Sequence, residues 1–100
     1  MSAQQVKVKI PKWVEKVPNK EELYLDFLVS MALVKMQDYK KETEIYQGKY
    51  KMPFEKFEKK ILAQKKENPK WWDDYIVWKG YHQAYNKWAD WYKETLQCMG

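Results

Sequence analysis

The stretch "KWWDDYIVWKGYHQAYNKWADWYK", residues 70–93, holds five of the six tryptophans and four of the eight tyrosines in a chain of 100 residues. Trp71, Trp78, Tyr85, Tyr92 and Met99 recur every seven residues, with Tyr81 and Trp88 at the second apolar position of the heptad. Seven residues are two turns of a packed helix, so the period predicts a helix over 69–98 with an aromatic seam along one side. Leu96 and Ala89 fall on the same arc, whereas Lys79, Gln83, Asn86, Lys87, Asp90, Glu94 and Gln97 gather opposite it. Gly80 and Ala84 leave a small-residue notch in this helix. Because a mid-helix glycine costs up to about 1 kcal/mol relative to alanine, a close backbone or a bend is expected there.

A seam needs something to pack on, and the first half of the chain supplies it. In "PNKEELYLDF", residues 18–27, Asn19 is placed to cap a helix whose third position is Glu22, and both Glu21 and Glu22 favour its positive end. From Leu23 to Met36, eleven of fourteen residues are apolar. Such a helix is covered on most of its circumference. Gly48 is expected to end it as a left-handed residue, giving a helix over 20–47 about 40 Å long. A shorter helix over 53–66 follows, with Pro53 at its first position and a narrow stripe of Phe54, Phe57 and Ile61 flanked by Leu62. "KKENPK" reads as an exposed break in which Asn68 caps and Pro69 opens the third helix. Residues 1–19 form an arm: "VKVKI" alternates apolar and charged residues as a half-buried strand does, and Trp13 lies in a turn between Pro11 and Pro18. The expected fold is a single all-α domain: a short N-terminal extended arm and three helices, the two long ones packed as an antiparallel hairpin.

With 45% hydrophobic, 17% aromatic and 33% charged residues, the composition is that of a folding, solvated domain rather than a disordered chain. No apolar run approaches the roughly 18 residues of a membrane span, and "MSAQQVKVKIPK" has no secretory h-region, so the expected location is the cytoplasm. Cys98 has no second cysteine to pair with. The net charge of +5 is uneven: residues 1–20 carry +4 and 49–70 carry +5, while 21–48 come to −3 and 71–100 to −1. All nineteen basic residues are lysine. Lysine attracts phosphate as a point charge but lacks the planar fork that reads guanine, which argues against specific base readout. Lysine-mediated nucleic-acid binding through Lys7, Lys9, Lys12, Lys59, Lys60, Lys65 and Lys66 is the second functional expectation.

No residue pattern here carries catalytic or cofactor chemistry. His82 stands on the aromatic arc without a cysteine, aspartate or second histidine at metal-ligand spacing, so it is expected to be packed or hydrogen-bonded. Asp73 and Asp74 point to different sides of one turn, unlike an acid–base pair. Asp74 projects into the aromatic arc and needs a donor, a tyrosine hydroxyl or a lysine. Trp72 and Ile76 project onto the side that is polar later in the helix, and Trp91 lies at the edge of the apolar arc. Together with a first helix apolar nearly all round, they are more than a 100-residue monomer is expected to bury, which predicts a homodimer or a protein partner.

Two resemblances bear on the partner. "VKVKIPKWV" is similar to the strand-then-proline opening of ribbon-helix-helix repressors, which implies that Lys7 and Lys9 face DNA; the first helix here runs unbroken for about seven turns where that family has two short helices. More of the chain resembles the small helical antitoxin-like proteins of archaea and bacteria, through "VKVKIPKWV", "GKYKMPFEKFEKKI" and "WWDDYIVWKGYHQAY". That resemblance implies a protein that neutralises a co-encoded toxin by wrapping it, with Trp72, Asp73, Asp74 and Ile76 as contacts. The expected function is therefore non-enzymatic protein binding, antitoxin-like, with Trp72, Asp73, Asp74, Ile76 and Trp91 at the partner surface and with no metal or cofactor.

Overall fold

The computed structural model describes residues 9–99. These form an all-α structure of a 3-10 turn over Lys12–Lys16 followed by three helices, α1 (Lys20–Tyr50), α2 (Phe54–Leu62) and α3 (Pro69–Met99). Of the arm, Val6 to Val8 and with them Lys7 lie outside the described residues, and Lys9 and Ile10 are not in a strand.

Both long helices begin where their asparagines place them. Asn19 Oδ1 accepts the N–H of Glu22 at 3.1 Å, and Asn68 Oδ1 accepts that of Trp71 at 3.3 Å. Pro69 follows Asn68 at the first helical position, where a missing N–H costs nothing.

The ends of α1 and α2 depart from expectation. Gly48 does not stop α1, which runs through it to Tyr50 and ends on Lys51 in the left-handed region at φ 55°, ψ 39°. A lysine accepts that conformation at a cost of roughly 1–2 kcal/mol, and tertiary contacts offset it. The Tyr50 ring is wedged against Phe57 and Trp71, and both Lys49 and Tyr50 bond Asp74 of α3. Pro53 then disfavours helical geometry at Met52, which lies in the bend between α1 and α2. Pro53 itself is the residue that caps α2 rather than its first helical position. α2 ends at Leu62, four residues early, because the stripe of Phe54, Phe57 and Ile61 runs out and Lys65, Lys66 and Glu67 have nothing apolar to bury.

α1 and α3 run antiparallel, with Tyr39 meeting Tyr81, Tyr46 meeting Trp78 and Tyr50 meeting Trp71 at ring-centroid distances of 6.2, 5.9 and 6.1 Å. α2 crosses the closed end of this hairpin and seals the core there. Phe54, Phe57, Ile61, Tyr75 and Trp78 are buried, with Tyr46, Tyr50, Met52 and Trp71 packed around them. Towards the open end burial fades. Ala32 is the one other buried hydrophobic among the described residues, and Leu96 and Met99, expected on the inward seam, are exposed. The notch at Gly80 is empty as well: a Cβ there would meet nothing within 4 Å.

This lopsided core leaves a large surface. The accessible area is 8663 Å² for a 12.3 kDa chain, whereas a compact monomer of that mass exposes about 6,100 Å². Even a fully unfolded allowance of about 1,450 Å² for the nine residues outside the description leaves roughly 1,100 Å² in excess.

Candidate protein-binding surface

The surface is best read by separating groups committed inside the fold from those left facing outward. Asp74 is committed. Its carboxylate accepts Lys49 Nζ at 2.6 Å and the Tyr50 hydroxyl, tying the last turn of α1 to the first turns of α3. These two donors hold the Asp74 carboxyl below its ordinary pKa of 3.8. Burial, and then the bond to Asp74, push the Tyr50 phenol well above its ordinary value. A tyrosine hydroxyl and a lysine are the donors its projection required, and both meet Oδ2, which gives Asp74 a role inside the fold.

Tyr75 is similarly internal, donating to Glu58 Oε2 of α2 at 2.7 Å, and its phenol is raised chiefly by burial. His82 stacks on Phe54 at 4.4 Å, with Nε2 lying 3.3 Å from the Asn86 amide and 3.7 Å from Glu55. It is a packed histidine, as expected. No group of three His, Cys, Asp or Glu side chains among the described residues is arranged to hold a metal ion.

Trp72, Asp73 and Ile76 face outward from the start of α3, with Val77 beside them. Trp72 leans on Tyr75 at 5.4 Å, which fixes its ring without covering it. Trp91 is also exposed, set edge-on to Trp88 at 4.8 Å and capped by Lys87 Nζ 4.7 Å from its ring. Fifteen residues, about 22 Å of helix, separate it from Ile76. The candidate contacts are thus two patches, one at each end of α3.

Sequence reading passed over a third. Tyr24, Phe27, Val34 and Ile45 of α1 are exposed, at 64%, 61%, 54% and 60%. With Met31 the first three follow a three-four-three spacing, the signature of a second packing seam. That spacing was present in the sequence but hidden by an α1 that is apolar nearly all round. At 100° per residue this stripe lies roughly 120° from Ala32, which faces α3, so the hairpin does not cover it. A mostly apolar recess of about 270 Å³ between α1 and α3, lined by Leu28, Met31, Ala32, Trp88, Trp91 and Thr95 with Glu94 at its edge, opens beside it.

The lysines do not converge on one groove with the aromatics. Lys9 and Lys12 precede the N-terminal end of α1, whereas Lys59, Lys60, Lys65 and Lys66 belong to α2 and the loop after it, at the other end of a helix about 46 Å long. All six are exposed, and Lys60 Nζ sits 4.9 Å over the Trp71 ring. No helix among the described residues is long and apolar enough to cross a membrane.

Comparison of the chain with protein-family models, with curated proteins and with solved structures yields no match. The surface itself is what remains to assign a function.

Proposed function

We propose that this chain is a non-enzymatic protein-binding module that acts by stoichiometric association, in the manner of the antitoxin-like proteins it resembles. The observation that supports the reading is the imbalance of its apolar residues: fourteen large hydrophobic side chains are exposed against six buried hydrophobic residues among those described. Scattered surface leucines need no explanation, but ordered patches carrying Trp72, Ile76 and Val77 at one end of α3 and Trp91 at the other are what partner surfaces are made of. Trp72 and Ile76, with Asp73 at their rim, are the contacts proposed for a heterologous partner; Trp91 belongs to the second patch.

The test is the solution mass of the chain alone and mixed with the product of the neighbouring gene, at about 50 and 500 mM salt. Apolar association survives the higher salt, and Trp72→Ser with Ile76→Ser abolishes it while leaving the helical circular dichroism signal intact. A second reading, phosphate binding by the exposed lysines, is favoured by the +5 charge. It requires affinity for nucleic acid that falls steeply over the same salt range. A chain that binds nucleic acid in that way and forms no protein complex refutes the module.

A further inference from the structure

We infer that the exposed stripe of α1 is a self-association seam, and that two copies of this chain pair through antiparallel α1 helices about a two-fold axis near residue 29. This deepens the protein-binding reading by naming a second copy as the occupant of one surface, and it uses none of the residues proposed for the heterologous partner.

The stripe continues past its apolar residues in both directions at heptad spacing, and the continuation selects the partner. Preceding Tyr24 by four residues is Lys20, and following Val34 by four is Asp38. Both are exposed, and neither has an ion-pair partner among the described residues. The order is thus Lys20, Tyr24, Phe27, Met31, Val34, Asp38: a cation at one end, an anion at the other, and four apolar side chains between. Laid antiparallel on itself, this sequence is self-complementary. Phe27 packs on Met31 of the partner subunit, Tyr24 on Val34 of the partner subunit, and Lys20 meets Asp38 of the partner subunit at each end of the seam. An isologous two-fold interface forms every such contact twice.

Registers shifted toward the C-terminal half of α1 fail on the same residues. Sliding the helices by one heptad sets Asp38 against Phe27 and Lys41 against Tyr24; sliding by two sets Asp38 against Val34. Sliding by three pairs Asp38 with Lys41 and Val34 with Ile45, but it carries Tyr24 and Phe27 past Tyr50, where the opposing helix has ended. A parallel pair stacks Lys20 on Lys20 and Asp38 on Asp38. The charged ends therefore specify orientation and register, the use to which polar core positions in coiled coils are put.

The area suits a dimer. Tyr24 and Phe27 expose about 250 Å² between them, given total aromatic areas of 150–250 Å² each. With Val34, Met31 and the stems of the flanking residues, each copy buries about 500 Å², or about 1,000 Å² in all, which reaches the lower bound for a specific interface. The α1–α3 recess with Trp88 and Trp91 lies along the same edge and extends the covered surface.

The experiment is sedimentation equilibrium of the full chain up to about 100 µM, with circular dichroism to confirm folding. Wild type is expected at twice its 12.3 kDa mass, Phe27→Glu at the monomer mass, and Ile45→Glu still dimeric. Charge reversal tests the register. Lys20→Glu alone and Asp38→Lys alone each place like charges at both ends and weaken association about tenfold. An equimolar mixture of the two restores wild-type affinity, because every end then pairs a cation with an anion. Monomeric wild type, a dimer indifferent to Phe27→Glu, a dimer broken by Ile45→Glu, or charge variants that mix no better than they self-associate each overturn the seam. None of these results touches the Trp72 and Ile76 test, so the two readings stand or fall apart.

Discussion

Truncating Trp78 to alanine is the sharpest test of where this protein keeps its stability. Trp78 is 1% exposed and sits within 5.9 Å of the rings of Tyr46, Phe54 and Phe57, with Tyr50 stacked just beyond. From α3 it meets side chains of both α1 and α2. Removing a buried indole costs about 3–5 kcal/mol through lost burial plus the cavity left behind. A 100-residue domain has only about 5–15 kcal/mol in total, and 1 kcal/mol moves its melting temperature by about 4–8 °C. Trp78→Ala is therefore expected to melt at least about 12 °C below wild type, with an urea midpoint lowered by more than about 1 M. Ile76→Ala, two residues away on the open side of the same helix and 54% exposed, is the control and is expected to cost less than about 1 kcal/mol. The measurement is urea denaturation followed by circular dichroism at one protein concentration. Equal losses from the two variants would refute a core that lies on the inward side of α3 at the closed end of the hairpin.

Gly80→Ala is expected to raise stability by about 0.5–1 kcal/mol in the same assay, since the site is helical and a Cβ there meets nothing; a loss would reveal a neighbour that the isolated chain lacks. Asp74 has a folded pKa below its unfolded value, so its contribution is complete above about pH 4 and disappears as pH falls through the folded pKa. Melting temperature should drop on acidification below about pH 4, and Asp74→Asn should flatten that drop while lowering the neutral-pH value. Tyr50 behaves in the opposite sense. Its raised pKa means that above about pH 10 the unfolded chain gives up a proton the folded chain retains, so stability declines with rising pH. Tyr50→Phe should shrink the alkaline loss measured between about pH 9 and 11, and an unchanged slope would count against the Tyr50–Asp74 bond.

The second heptad seam shows why apolar content alone misleads on site residues. Across Leu23 to Met36 so many positions are apolar that no single face stands out, and the outward set of Tyr24, Phe27 and Val34 emerges only once Ala32 is seen to face α3. The outward placement of Trp72 and Ile76 was legible because the rest of their helix is amphipathic, which makes an apolar residue on its polar side conspicuous. Asp74 was legible in a different way. Its projection into an aromatic arc demanded a donor, and that demand is met inside the fold rather than by a partner.

Local chemistry decided what the sequence alone could determine. The caps at Asn19 and Asn68, the stripe of Phe54, Phe57 and Ile61, the heptad of α3 and the hairpin itself all follow from contacts within a few residues or from one repeated spacing. Tertiary structure decided the rest, because burial is a property of what lies opposite. Tyr75 stands off the seam and is buried since α2 crosses it, whereas Leu96 and Met99 lie on the seam and are exposed since nothing crosses them. Likewise α1 passes Gly48 and turns at Lys51 because Lys49 and Tyr50 are anchored to Asp74, 24 residues further along the chain from Tyr50, and no local propensity encodes an anchor at that distance.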